Sequence, residues 1–173
     1  TEIYTLSLHD ALPILGYTPE ADLALQRALT YAYPAQTFAH TGPVTSVALS
    51  PNGQVAATVD ETGTIRLWDT ANGEEQRVFA LAQVAFSRLA FSPDGRWLAA
   101  AGDDRQVHVW EVAASRQTLL LGRHTDSIRA VAWSADGRQV ASVSLDKTLR
   151  IWETARGESL LVIDLPAPAN ALT

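Results

Sequence analysis

HTDSIRAVAWSADGRQVASVSLDKTLRIWE, residues 124–153, decides the fold, because the chain carries the same pattern twice more. The other copies are HTGPVTSVALSPNGQVAATVDETGTIRLWD at 40–69 and AQVAFSRLAFSPDGRWLAAAGDDRQVHVWE at 82–111. Trp68, Trp110 and Trp152 stand 42 residues apart, as do Gly53, Gly95 and Gly137, and Ser50, Ser92 and Ser134, with no gap. A period between about 20 and 50 residues means stacked supersecondary units, none of which buries its apolar face alone.

Each copy reads as strands. Val47, Leu49, Val55 and Ala57 alternate with smaller or polar residues at period two, as a strand with two different faces requires. Pro51-Asn52-Gly53, Pro93-Asp94-Gly95 and Ala135-Asp136-Gly137 punctuate the first hairpin, with a glycine for the positive φ of a tight turn. A second turn falls near Glu61 to Gly63, Asp103 to Arg105 and Leu145 to Lys147. The β-branched and apolar runs that end in the tryptophans follow it. A weaker fourth strand is visible at Gln76 to Phe79, Gln117 to Leu121 and Ser159 to Ile163. Each repeat is then a four-stranded antiparallel sheet, stacked radially on the next.

Over residues 40–165 these segments resemble WD repeats. The resemblance implies an all-β fold: three four-stranded antiparallel blades of an incomplete WD-repeat β-propeller, preceded by one short α-helix. The organisation expected is residues 15–39 as N-terminal helix and linker strand, repeats at 40–81, 82–123 and 124–165, and 166–173 as a linker or truncated end. Thr18-Pro19-Glu20 supplies a capping hydroxyl and a first-turn proline, and Leu25, Ala28, Leu29 and Ala32 recur at helical spacing, so the helix is placed at 19–32. Residues 35–39 are then placed as an outer strand of a preceding blade. TEIYTLSLHDALPI at 1–14 resembles the conceptual translation of a short-read sequencing-library adapter and is set apart from fold reasoning. The helix feeding into repeats resembles the junction in large bacterial signalling proteins, where a regulatory ATPase or kinase precedes WD repeats. With no methionine and three blades, where propellers run from about 4 to 8, the sequence reads as a piece of a larger protein.

Composition narrows the function. Hydrophobic residues at 47% against 18% charged fit a buried core, and no apolar run approaches the roughly 20 residues that cross a bilayer, so no membrane partner is expected. A net charge of −6 with no cluster of lysine or arginine argues against nucleic acid. With no cysteine there is no disulfide and no thiolate metal site.

His124, Ser142 or Ser144, Asp146 and Trp152 invite a catalytic reading, since serine, histidine and aspartate can form a nucleophilic triad. The resemblance implies instead a structural chain in which a loop histidine, a strand hydroxyl, a turn aspartate and the indole N–H satisfy one another. Repetition with the fold period favours that role, because a catalytic site is needed only once. Blade one keeps His40, Thr58 and Trp68 but has Thr62 at the aspartate position and Asp60 two before it. Blade two keeps Asp104 and Trp110 but has Ala82 for the histidine and Ala100 or Gly102 for the hydroxyl. Blade two is therefore expected to lean on packing of Phe86, Leu89, Phe91, Leu98 and Val109. His108 reads as a side chain on a half-exposed sheet face, and Trp97 and Trp133 as core or blade-interface residues in preference to ligand-stacking aromatics.

On the ring's top surface the resemblance points to Pro43, Thr45 and Glu61, then Ala85, Ser87 and Asp103, then Ser127, Arg129 and Leu145, which serve equally well as ordinary solvent-facing turn residues. It implies a cytoplasmic, non-catalytic scaffold or sensor module without cofactor or metal. Its partners would be a protein or peptide and further WD repeats of the same parent chain, and its exposed blade edges are prone to self-association. The alternative is a propeller enzyme with a central-channel active site, which needs converging charged or metal-binding side chains.

Overall fold

A computed structural model of the protein describes residues 4–5, 37–40, 42–81, 84–114 and 116–171. The helix expected over 19–32 and most of the adapter-like segment 1–14 lie outside the described residues. Two short strands precede the repeats: β1 (Tyr4–Thr5) pairs antiparallel with β2 (Ala39–His40), Tyr4 opposite His40. The segment 35–39, expected to add an outer strand to a blade, is described from residue 37, and its strand residue Ala39 pairs with Thr5.

Three four-stranded antiparallel sheets follow, each built from consecutive strands. Sheet one runs β3 (Val44–Leu49), β4 (Val55–Asp60), β5 (Thr64–Asp69) and β6 (Glu75–Ala80). Sheet two runs β7 (Phe86–Phe91), β8 (Trp97–Gly102), β9 (Val107–Glu111) and β10 (Arg116–Leu121). Sheet three runs β11 (Ile128–Trp133), β12 (Gln139–Ser144), β13 (Thr148–Glu153) and β14 (Ser159–Asp164).

The first hairpin of each sheet is fastened identically. Ser50 Oγ bonds Asn52 Oδ1 at 2.8 Å and accepts the Val55 N–H at 2.9 Å, and Ser92 with Asp94 and Ser134 with Asp136 repeat the arrangement. The serine at period 42 is thus a turn lock, and Gly53, Gly95 and Gly137 sit at φ 70°, 71° and 69°.

Sheet two is the middle layer. Its β8 is buried along both faces: Leu98 and Ala100 join Phe86, Leu89 and Trp110 in a core with Ala57, Val59, Ile65 and Leu67 of sheet one. Ala99 and Ala101, pointing the other way, join Val107 and Val109 in a second core with Ile128, Val131, Val140 and Trp152 of sheet three. Trp97 and Trp133 pack against this second core. Phe86, Leu89, Leu98 and Val109 are all buried, which places most of the expected blade-two packing set inside the two cores.

The innermost strands also carry a bulge at one repeated position, between Val44 and Ser46, Phe86 and Arg88, and Ile128 and Ala130. A bulge re-aims the extra residue. Thr45 Oγ1 donates to the Phe86 carbonyl at 3.2 Å and Ser87 Oγ to the Ile128 carbonyl at 2.8 Å, so each hydroxyl clasps the next sheet. Leu89 N–H to Ser46 Oγ, 3.2 Å, and Trp133 Nε1–H to the Ala90 carbonyl, 3.0 Å, add two more ties between sheets.

Candidate functional site

Blade three brings four polar side chains into one line. The Trp152 indole N–H donates to Ser142 Oγ at 2.8 Å, Ser142 Oγ lies 2.7 Å from His124 Nε2, and His124 Nδ1 lies 3.0 Å from Asp146 Oδ2. Burial pushes the His124 imidazole below its ordinary value, against the opposing pull of Asp146, so it is neutral. One proton arrangement then satisfies every donor: indole N–H to hydroxyl, hydroxyl O–H to Nε2, and Nδ1–H to carboxylate. Burial alone would raise the Asp146 carboxyl. The Thr148 hydroxyl, the N–H groups of Thr125 and Thr148, and His124 outweigh it and hold the carboxyl below the usual carboxylate range.

Of the two candidate serines, Ser142 belongs to this line. Ser144 Oγ instead donates to the Asp126 carbonyl at 2.8 Å and accepts the Asp146 N–H at 3.1 Å, which fixes the loop that presents His124 and the turn that presents Asp146. Ser142 has no exposed surface and His124 has 1%. A nucleophile must be reached by its substrate, and this hydroxyl is wrapped by its own blade.

The other blades solve the same problem differently. In blade one the Trp68 indole N–H donates to Thr58 Oγ1 at 2.7 Å. His40 is not joined to that pair: neither ring nitrogen has a hydrogen-bond partner among the described residues, and the ring meets Trp68 edge-on at 5.2 Å. Of the three members that blade one keeps, the bonded chain therefore joins two, Thr58 and Trp68. Its turn carboxylate is the buried Asp60, whose Oδ1 accepts the N–H groups of Thr62 and Thr64 and the Thr62 hydroxyl. In blade two, with Ala82 and Ala100 in place of histidine and hydroxyl, His108 supplies an imidazole from inside the sheet. Its Nε2 lies 2.9 Å from Asp104 Oδ2 and its ring stacks on Trp110 at 5.7 Å. His108 is buried, not half-exposed as its alternating position suggests, because Phe86 closes over it edge-on at 5.3 Å.

That position is itself periodic. Two residues before each tryptophan, on the same strand face, stand Arg66, His108 and Arg150. Arg150 Cζ lies 5.9 Å above the Trp152 ring, and Arg66 pairs with Glu75 at 3.0 Å. The repeat of cationic or imidazole side chains at 66, 108 and 150 is the sequence signal that singles out His108.

The nine surface candidates gather at one end of the sheets, six of them in three backbone-fastened pairs. Glu61 N–H donates to the Pro43 carbonyl at 3.1 Å, Asp103 N–H to that of Ala85 at 3.0 Å, and Leu145 N–H to that of Ser127 at 3.0 Å. Ser127 Oγ reaches the Asp103 carbonyl of the neighbouring sheet at 3.5 Å. Pro43, Thr45, Glu61, Ala85, Asp103 and Arg129 are exposed, and Ser87, Ser127 and Leu145 half-buried. Thr45 and Ser87 spend their hydroxyls on the next sheet, so the charged groups among the nine are Glu61, Asp103 and Arg129, and Asp103 Oδ1 already accepts the Ala85 N–H at 3.0 Å. Among the described residues no cluster of three or more His, Asp or Glu side chains gathers to hold a metal, and no helix is long and apolar enough to cross a membrane.

Stacked four-stranded sheets, pinned by a buried indole in each and linked through their inner strands, define a run of β-propeller blades. Residues 32–69, 74–111 and 115–153 match the WD domain, G-beta repeat family (WD40), and the chain belongs to it. Two solved structures show the same fold at 18% identity: the structure of U3-55K, with a TM-score of 0.69 over 72% of this chain and 40% of that one, and the crystal structure of RRP9 WD40 repeats, with 0.68 over 72% and 39%. The chain spans about two fifths of the length of either. No curated protein sequence matches it. The family segments are offset from the sheets by one strand: 74–111 begins with β6, the outermost strand of sheet one, and continues through β7, β8 and β9 of sheet two. The segments 74–111 and 115–153 thus each straddle two blades.

Proposed function

We propose that this chain is a non-catalytic protein-interaction scaffold or sensor module, forming part of a larger regulatory WD-repeat protein of the cytoplasm. The observation that carries this reading is the end surface, where three loop pairs are fastened by backbone bonds and Glu61, Asp103 and, from β11, Arg129 stand exposed. Rigid loops that keep exposed side chains at a fixed spacing lose little entropy on binding. WD40 repeats as a family mediate protein–protein contacts, which fits a protein or peptide as the partner of this surface. Net acidity and scattered cations speak against nucleic acid. Further blades of the same parent chain are the proposed cover for the outward face of sheet three.

The triad-like residues have a sufficient role inside blade three, where each hydrogen bond is satisfied and no hydroxyl is presented to a substrate. The test pairs two sets of variants in a proximity-labelling or pull-down experiment. Glu61→Arg, Asp103→Arg and Arg129→Glu should each weaken capture of a given protein partner while the unfolding midpoint stays put. If these variants leave every interaction unchanged, the end surface is not the binding face. Hydrolytic turnover that disappears with Ser142→Ala in a still-folded protein would restore the enzyme reading.

A further inference from the structure

A feature the fold requires recurs with its 42-residue period, and three cations at the loop end of the sheets do not. Arg105, Arg123 and Arg129 stand where the preceding repeat has Gly63, Leu81 and Ser87. The junction of blades one and two is thus made without a charge at any of these positions, whereas the junction of blades two and three carries an arginine at each. Packing and turn geometry, which both junctions share, do not account for the difference.

The fold gathers these cations, which the sequence scatters. The Arg105 carbonyl accepts the His124 N–H at 2.9 Å, which sets the turn of sheet two beside the loop that carries Arg123. Ser127 Oγ reaches the Asp103 carbonyl at 3.5 Å, so the segments 103–105, 123–124 and 127–129 are bonded into one patch. Leu145 N–H donates to the Ser127 carbonyl and brings the turn of Lys147 to its border. Arg105, Arg123, Arg129 and Lys147 are all exposed, and among the described residues none of them is in an ion pair. The carboxylates of this end are engaged by the fold itself. Asp104 meets His108 and the Gln106 N–H, and Asp146 is held among His124, Thr125 and Thr148. Of the exposed pair, Asp103 accepts the Ala85 N–H and Asp126 the Ser127 N–H. Arg105 and Lys147 also hold φ at 72° and 63°, the left-handed region that the equivalent Gly63 enters without strain. Side chains kept at strained turn tips where the fold accepts glycine point to a use for those side chains.

We propose that the loop end of the junction between blades two and three docks an acidic peptide segment of a partner protein, with Arg105, Arg123 and Arg129 as the groups that take its carboxylates. A guanidinium offers a carboxylate two parallel N–H donors from one planar fork, which favours short acidic stretches over a diffuse negative charge. The patch is confined to one of the two junctions and is flanked by the exposed Glu61, Asp103 and Asp126, which repel a longer run of phosphates. A nucleic-acid backbone, whose affinity grows with the number of phosphates neutralised, is therefore the poorer complement. The assignment rests on the reading of this end as the binding surface and adds the charge of the segment that meets blades two and three; Glu61 and Asp103 meet the rest of the partner.

The test follows the fluorescence anisotropy of a labelled hexaglutamate peptide titrated with the full 173-residue chain. Three variants copy the first junction into the second: Arg105→Gly, Arg123→Leu and Arg129→Ser. Each introduced residue already occupies the equivalent place in this fold, so circular dichroism should match wild type. Wild type should bind, more weakly as salt is raised. Each single variant should lose about two- to fivefold in affinity, the range of one exposed charge pair, and the triple variant should lose all saturable binding. Wild type that ignores hexaglutamate, or a triple variant that binds as wild type does, overturns the proposal. So does a uridine hexanucleotide held more tightly than the peptide by the same arginines, which would make the patch a phosphate site. If hexaglutamate fails while Glu61→Arg still weakens capture of a protein partner, the end surface stands as the binding face and only the acidic character assigned to its partner falls.

Discussion

Ser142 Oγ receives the Trp152 indole N–H and serves the His124 ring, so its removal strands two buried groups at once. An unsatisfied buried polar group costs about 1–3 kcal/mol. Ser142→Ala should therefore lower stability by about 2–5 kcal/mol, and Thr58→Ala, which orphans the Trp68 indole alone, by about 1–3 kcal/mol. Urea titrations of the two variants check the order. The same line makes the protein acid-sensitive. His124 is held below the ordinary imidazole value of about 6.5, so between its folded and unfolded values the unfolded chain binds the extra proton. Its contribution is full above about 6.5 and is lost as pH falls through the folded value. Asp146, also held low, adds a second loss below the ordinary carboxylate value. Urea midpoints between about pH 8 and pH 5 should fall less steeply for His124→Asn than for wild type. Some slope should remain, because burial, and after it Arg66, lowers His40 too. At this scale blade three was legible because all four residue types are present in one repeat. The choice between Ser142 and Ser144 was not, since residues two apart on a strand share a face. The sequence names His108 and Asp60 but not their work, the first read as half-exposed and the second given no role, because each acts from a position outside the aligned histidine–hydroxyl–aspartate–tryptophan set.

The turn between the second and third strands of each sheet places Gly63, Arg105 and Lys147 at φ 80°, 72° and 63°. Two of the three blades thus hold a side chain in the left-handed region, which costs about 1–2 kcal/mol for an L-residue. Gly63 cannot follow them, because a Cβ there would run into the backbone carbonyl of Val84 at the start of the next blade. Gly63→Ala should therefore destabilise by more than the left-handed cost alone, whereas Lys147→Gly should change stability by no more than about 1 kcal/mol, in the stabilising direction. Thermal melts of the two variants would show opposite signs. The strands and turns themselves were readable, since alternation and turn glycines are local properties. The bulges at Thr45, Ser87 and Arg129 were not, because a bulge depends on the partner strand's register, and the hydroxyl clasps between sheets follow from the bulges.

Stacked repeats gain most of their stability from neighbours, so the layer with two neighbours should open last. Sheet two is that layer, with β8 buried on both faces and β9 almost wholly buried, while β14 is exposed along its whole length at the far end of sheet three. The periodicity of the sequence gives the three blades equal standing; the differences among them arise from which faces are covered, a property of the assembled stack. Native-state hydrogen exchange should accordingly be slowest at the amides of β8 and β9, intermediate in β4 and β5, and fastest in β14, which has a hydrogen-bonded neighbour on one side only. Uniform protection across the three sheets would mean that the stack opens as one unit and that the junctions are stronger than the blades.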